Sequence, residues 1–165
     1  LSPEEAQHHP NKNVLMRVLG DVDASTRPDR ERSRLRATSV GFVFQDSELD
    51  PSRPILDSVV EPGLYAGLER QTLEDRARAL LERFGLAHRA DHRPGQVSGG
   101  QAQRALIARA LAQDTRVLLL DEPSLGLAPR AVAEVMDQLA RLVETGLAVV
   151  VAEQNAPAET HLIGA

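Results

Sequence analysis

An uninterrupted apolar run, Val117-Leu118-Leu119-Leu120, ends in two adjacent carboxylates, Asp121 and Glu122. Nothing else in the chain restricts its fold so tightly. A short run that is apolar on both faces reads as a buried parallel strand. Ligands of open α/β sheets collect at the carboxyl ends of such strands, which is where the acidic pair falls. A buried acidic pair with no cation is costly. Asp121-Glu122 therefore indicates either a cation site or an exposed turn after a strand, and the turn requires Glu122 to be exposed.

Upstream lies Val97-Ser98-Gly99-Gly100-Gln101, a glycine pair between two hydrogen-bonding side chains, ahead of an alanine-rich helix over residues 102–112. A helix N-terminus offers free N–H groups and a partial positive charge, which suits an anion. The bland reading is a glycine N-cap. In this order, the two elements strongly resemble the signature and Walker B motifs of the ATP-binding cassette (ABC) ATPases. That resemblance implies an α/β fold, with a P-loop NTPase-like (RecA-like) core, a largely parallel sheet and an inserted α-helical subdomain. It implies that Ser98, Gly99, Gly100 and Gln101 close on the γ-phosphate of ATP held by a second copy, in a head-to-tail dimer. It gives Asp121 the role of holding Mg²⁺ through water, and Glu122 that of general base toward the attacking water. Val97 departs from the family's usual leucine.

The flanking segments fit the same pattern. Ser39 to Phe44 is β-branched and aromatic and reads as a strand, and Gln45 follows at its end. In the family a glutamine there opens the Q-loop and reaches Mg²⁺ and the attacking water. Ser124-Leu125-Gly126-Leu127-Ala128-Pro129 occupies the D-loop position, with Ala128 in place of the usual aspartate. Residues 130–145 form an amphipathic helix with Val132, Val135, Met136, Leu139, Leu142 and Val143 on one face and Gly146 as its stop. Residues 147–152 read as the next buried strand. Two residues on, Gln154 stands where most relatives carry a catalytic histidine; it can donate a hydrogen bond but cannot carry an imidazole's charge.

The phosphate-cradling loop is the poorest match. The pattern G-x-x-x-x-G-K-[ST] places its lysine at Lys12, followed by a helix over residues 13–20. Ala6 and Asn11 stand where the glycines belong, Asn13 replaces the Mg²⁺-binding hydroxyl, and Pro10 has no N–H to donate. The loop works by turning backbone N–H groups toward phosphates, a geometry glycine permits. The stretch reads as an eroded or truncated Walker A with Lys12 as its nucleotide-binding remnant, or as a surface lysine without a ligand.

Between Gln45 and the signature motif, residues 46–100 are expected to form the helical subdomain that faces the membrane partner in the family. Within it a helix over 55–68 is expected to be interrupted near Pro62-Gly63. A second helix is expected with its N-cap at Thr72, an apolar stripe of Leu73, Ala77, Leu80, Leu81 and Phe84, and a stop at Gly85. The pairs His8-His9 and His88/His92 lack further ligands nearby and read as non-metal positions. The arginines between Arg27 and Arg36 are interleaved with Asp29 and Glu31 and read as a solvated linker or helix face.

Composition narrows the function classes. A formal net charge of -5 and only four aromatic residues (Phe42, Phe44, Tyr65 and Phe84) argue against a nucleic-acid partner, which needs a basic field and stacking surface. Cysteine is absent, which fits a reducing compartment. The expected organisation is one ABC ATPase domain over residues 1–165, incomplete at both ends, with core parts at 1–45 and 101–165. The expected function is that of an ATP-binding and ATP-hydrolysing transporter subunit. Its partners would be a second ATPase subunit, identical or not, and transmembrane permease subunits, on the cytoplasmic face of the cell membrane. Two alternatives stay open: a degenerate domain without ATP binding, and a soluble non-transport ABC protein. The segments EPSLGLAP and AEQNA resemble branched-chain amino-acid importers, whereas residues 40–45 and 88–100 resemble the lipoprotein-release and macrolide-export group. The substrate is therefore not legible.

Overall fold

The computed structural model describes Pro28 and residues 39–65, 67–113, 115–153 and 162–163. Lys12, the helix expected over residues 13–20, most of the arginine-rich stretch and Gln154 lie outside these described residues.

Among the described residues four strands form one sheet in the order β1 (Val40–Val43), β2 (Val117–Asp121), β3 (Ala148–Ala152) and β4 (Leu162–Ile163). The first three run parallel and β4 runs antiparallel to β3. Parallel neighbours need a crossover, usually helical. Here α4 (Pro129–Glu144) makes the crossover from β2 to β3. The segment from β1 to β2 carries α1 (Ile55–Tyr65), α2 (Arg70–Arg83) and α3 (Gly99–Leu111). The expected α/β core with a largely parallel sheet is thus the observed one.

The sheet is buried where the sequence is apolar: Val117, Leu118 and Val149 are fully inaccessible. Leu118 and Val149 join one hydrophobic cluster with Ile55, Leu81 and Ile107 from the helices and with Phe84 at the end of α2. β1 departs from this pattern. Gly41 and Val43 face inward, but Phe42 is 45% exposed and stacks on Phe44 with centroids 5.5 Å apart. Gly41 lets α3 approach, because a Cβ there would stand 2.7 Å from the Ala110 carbonyl oxygen.

Three helix boundaries differ from expectation. α1 runs unbroken through Pro62 to Tyr65. Its inner face buries Ile55, Leu56, Val59 and Val60, and burial on this scale offsets the bond a proline removes. Gly63 serves packing and does not break the helix, since a Cβ there would overlap the Leu73 side chain at 2.2 Å. α2 begins two residues before Thr72, with Glu69 as N-cap, and the Thr72 hydroxyl donates to Glu69 Oε2 at 2.7 Å. Leu73, Ala77, Leu81 and Phe84 of the α2 stripe are buried and Leu80 is partly buried, and Gly85 ends the helix at φ 67°. α3 starts at Gly99, so the glycine pair lies inside its first turn. Among the described residues no helix is long and apolar enough to cross a membrane.

Candidate nucleotide site

The parallel register brings the carboxyl ends of three strands together. Val43 pairs with Leu120, and Asp121, the last residue of β2, pairs with Ala152, the last of β3. Gln45 follows β1 in an exposed turn closed by Ser47 N–H donating to the Phe44 carbonyl at 2.9 Å. Glu122 follows β2 directly. Gln45, Asp121 and Glu122 thus share one edge of the sheet, the edge at which open α/β sheets bind ligands.

Glu122 has φ 48°, the sole positive φ among the described non-glycine residues. A non-glycine residue held there costs about 1–3 kcal/mol and persists only where its surroundings fix it. The Glu122 N–H donates to the Ala152 carbonyl at 2.8 Å, and the Glu122 carbonyl accepts from Leu125 N–H at 3.1 Å. The turn that follows is tied to β3 by Glu153. One carboxylate oxygen of Glu153 accepts from Ser124 N–H at 3.1 Å and the other from the Ser124 hydroxyl at 2.9 Å.

Asp121 is exposed and Glu122 half-buried. Among the described residues neither carboxylate has a cation or a hydrogen-bond donor as partner. The requirement that a turn here expose Glu122 is therefore only partly met. A solvent-facing carboxylate with unclaimed oxygens suits Mg²⁺, which keeps several waters and takes one or two carboxylates beside substrate phosphates. The donor set fits that ion. No group of three or more metal-ligating side chains occurs among the described residues.

The head of α3 is built differently. Ser98 is its N-cap: the Ser98 Oγ accepts from Gln101 N–H at 3.3 Å, and Gln101 Oε1 accepts from Ser98 N–H at 3.0 Å. This reciprocal capping box satisfies two backbone donors of the helix start. It occupies the Gln101 side-chain oxygen and leaves the Ser98 hydroxyl hydrogen and the Gln101 amide N–H groups to donate outward. Gly99 is exposed, and a Cβ there would make only ordinary contact with Leu127. Gly100 is buried, and its Cβ would stand 2.7 Å from that of Ala131 on α4. The two glycines have separate work: Gly99 leaves backbone open to an approaching group, and Gly100 lets two helices touch.

Ser98, Gly99, Gly126, Ala128, Arg130 and Glu134 line a groove of about 320 Å³. Glu134 binds Arg104 of α3 in an ion pair, and Arg130 Nε donates to it at 3.2 Å. Its carboxyl is held below the usual range, first by the hydrogen bond from Arg104 and then by that from Arg130. Asp121 and Glu122 do not line this groove. The groove beside the signature-like residues is thus formed without the acidic pair.

Sequence reasoning passed over Arg104, Glu134 and Glu153. The Arg130–Glu134 pair was readable as an i, i+4 pair on one helix. The Arg104–Glu134 and Ser124–Glu153 contacts join residues 30 and 29 positions apart, and no local spacing announces them.

Against known proteins, the family model described as ABC transporter matches residues 13–125. The chain is 45% identical over 138 residues to the lipoprotein-releasing system ATP-binding protein LolD of Paramagnetospirillum magneticum, covering 83% of this chain and 61% of that protein. It is 44% identical over 153 residues to the macrolide export ATP-binding/permease protein MacB 1/2 of Paracoccus denitrificans, covering 85% of this chain and 23% of that protein. The chain thus spans about three-fifths of the LolD length. The dimeric structure of the ATP-binding cassette MJ0796 bound to ADP and Pi superposes with a TM-score of 0.65 at 33% identity, covering 79% of this chain and 58% of that one.

Proposed function

The chain belongs to the ABC transporter family, and from that premise we propose that it is an ATP-binding and ATP-hydrolysing subunit driving solute movement by membrane partners. The observation that carries this reading is Glu122, held at φ 48° between Ala152 and Leu125 with its carboxylate unclaimed among the described residues. Strained backbone concentrates at functional sites. Bound Mg²⁺ supplies charge neutralisation on the phosphates and polarises them toward attack. Asp121 would hold the ion through water, and Gln45 would orient the attacking water. Glu122 accepts that water's proton as its oxygen attacks the γ-phosphorus and the bond to the β–γ bridging oxygen breaks, releasing ADP and phosphate; general-base help of this kind is typically worth about 10²–10⁴-fold. Ser98 Oγ–H, the Gly99 N–H and the Gln101 amide donate to the γ-phosphate held by a second copy. Lys12 and Gln154, outside the described residues, are proposed as a phosphate donor and as the residue in the histidine position.

In this reading two copies, identical or not, complete the site, and the groove beside Ser98, which Glu122 does not line, is consistent with that. The dimeric cassette that this chain resembles supports that arrangement. Transmembrane permease subunits are the proposed partners, with the chain peripheral on the cytoplasmic face. The exposed side chains Leu64, Tyr65 and Leu68 support a docking surface on the helical part over residues 46–100. The relatives' names favour the lipoprotein-release and macrolide-export group over importers. Titration with Mg-ATP tests the proposal: micromolar binding supports it, and no binding at millimolar nucleotide overturns it. A second reading, the family fold without nucleotide binding, is favoured by Ala6, Asn11 and Asn13 in the loop positions that need glycine and a hydroxyl. The same titration separates the two.

A further inference from the structure

We propose that Glu153 is a positioning residue, whose carboxylate clamps Ser124 and so holds Glu122 in its left-handed backbone geometry. The role rests on the reading of Glu122 as general base. The two donors of Ser124, its N–H and its hydroxyl, converge on the two oxygens of one carboxylate, at 3.1 and 2.9 Å. Hydrogen bonds to an ionised acceptor are about twice as strong as neutral ones, and this pair is partly buried.

The clamp completes a closed frame around Glu122. β2 meets β3 at Asp121 and Ala152. The Glu122 N–H reaches back to the Ala152 carbonyl, and its own carbonyl accepts from Leu125. Ser124, between Glu122 and Leu125, is fastened to Glu153, the residue directly after Ala152. Ala152, the last residue of β3, and Glu153 directly after it therefore hold the two turn residues, Glu122 and Ser124, that flank the buried Pro123. Among the described residues, without Glu153 only the hydrogen bond to Ala152 ties the turn to β3, and the strained φ at Glu122 loses much of what fixes it. Glu153 also precedes Gln154, so one residue links the turn carrying the base to the segment in the histidine position. The Glu153 carboxylate is fully engaged by Ser124, which separates it from Asp121 and Glu122, whose oxygens are free among the described residues.

The test uses the full chain with Glu153→Ala, Ser124→Ala, Ser124→Thr and the Glu153→Ala/Ser124→Ala double variant. Amide hydrogen exchange is read at positions 122 and 124, and phosphate release at varied Mg-ATP. Glu153→Ala is expected to speed exchange at both amides and to lower kcat about 10-fold to 100-fold, the scale of a misplaced catalytic group, with KM within about twofold. Ser124→Ala keeps its backbone N–H bond and gives a smaller loss, so it serves if Glu153→Ala fails to fold. Ser124→Thr keeps both donors and stays near wild type. The double variant is no worse than Glu153→Ala alone, as expected of two residues in one contact. Unchanged exchange at position 122 in both alanine variants overturns the clamp, as does a rise in KM with kcat intact. A wild-type chain that releases no phosphate overturns the ATPase reading, and the exchange measurement then decides the clamp independently.

Discussion

Gly100 and Ala131 meet so closely that a Cβ on Gly100 would lie 2.7 Å from the Ala131 Cβ. The contact seats the head of α3, with its Ser98 cap, against the start of α4. Replacing glycine by alanine inside a helix ordinarily stabilises by about 0.5–1 kcal/mol. Overpacking a close contact costs about 1–3 kcal/mol, and here it wins. Gly100→Ala is therefore expected to lower the urea midpoint, and Ala131→Gly in the same chain is expected to recover part of the loss. A raised midpoint in Gly100→Ala would show that the helices separate freely.

Ala128 caps α4 with no side-chain acceptor. Pro129 fills the first helical position, where its missing N–H does no harm. The next N–H groups still lack a side-chain partner. Ala128→Asp restores the family's usual residue and is expected to stabilise the chain by about 0.5–2 kcal/mol, helped by a negative charge at the helix N-terminus. Chemical denaturation of the two chains side by side checks this.

Glu134 joins α3 to α4 through Arg104 and is also paired with Arg130. Its carboxyl titrates below the usual range, with the Arg104 hydrogen bond as the largest cause. A carboxyl depressed in the folded state contributes stability that is present above its unfolded value and lost as pH falls through the folded value. The wild-type advantage over Glu134→Gln is thus expected at neutral pH and shrinks as pH drops below the ordinary glutamate range. Urea midpoints measured from pH 7 down to about pH 3.5 follow it. An advantage that grows on acidification contradicts the sign. High salt should weaken it as well, because Glu134 is 42% exposed.

What was legible in the sequence was local. The run ending at Asp121-Glu122, the stripes of α2 and α4 and the glycine stops at Gly85 and Gly146 follow from period and turn chemistry, and they stand where expected. Helix starts were less legible. Thr72 has the look of a cap, yet Glu69 takes that position and receives the Thr72 hydroxyl. Pro62 has the look of a break, yet the buried face of α1 carries the helix past it. The glycine pair looked like one device, and only the neighbour of each separates the open Gly99 from the packed Gly100. The left-handed Glu122 and its supports arise from the β2–β3 register, which brings together residues far apart in sequence.

The central claim is that Glu122 acts on a water attacking ATP. Steady-state phosphate release from Mg-ATP, measured for the wild-type chain and for Glu122→Gln alongside nucleotide affinity, tests it most directly. The account predicts unchanged affinity in the variant and turnover lower by about 10²-fold or more. Equal turnover in the two chains would contradict it and remove Glu122 from the base role.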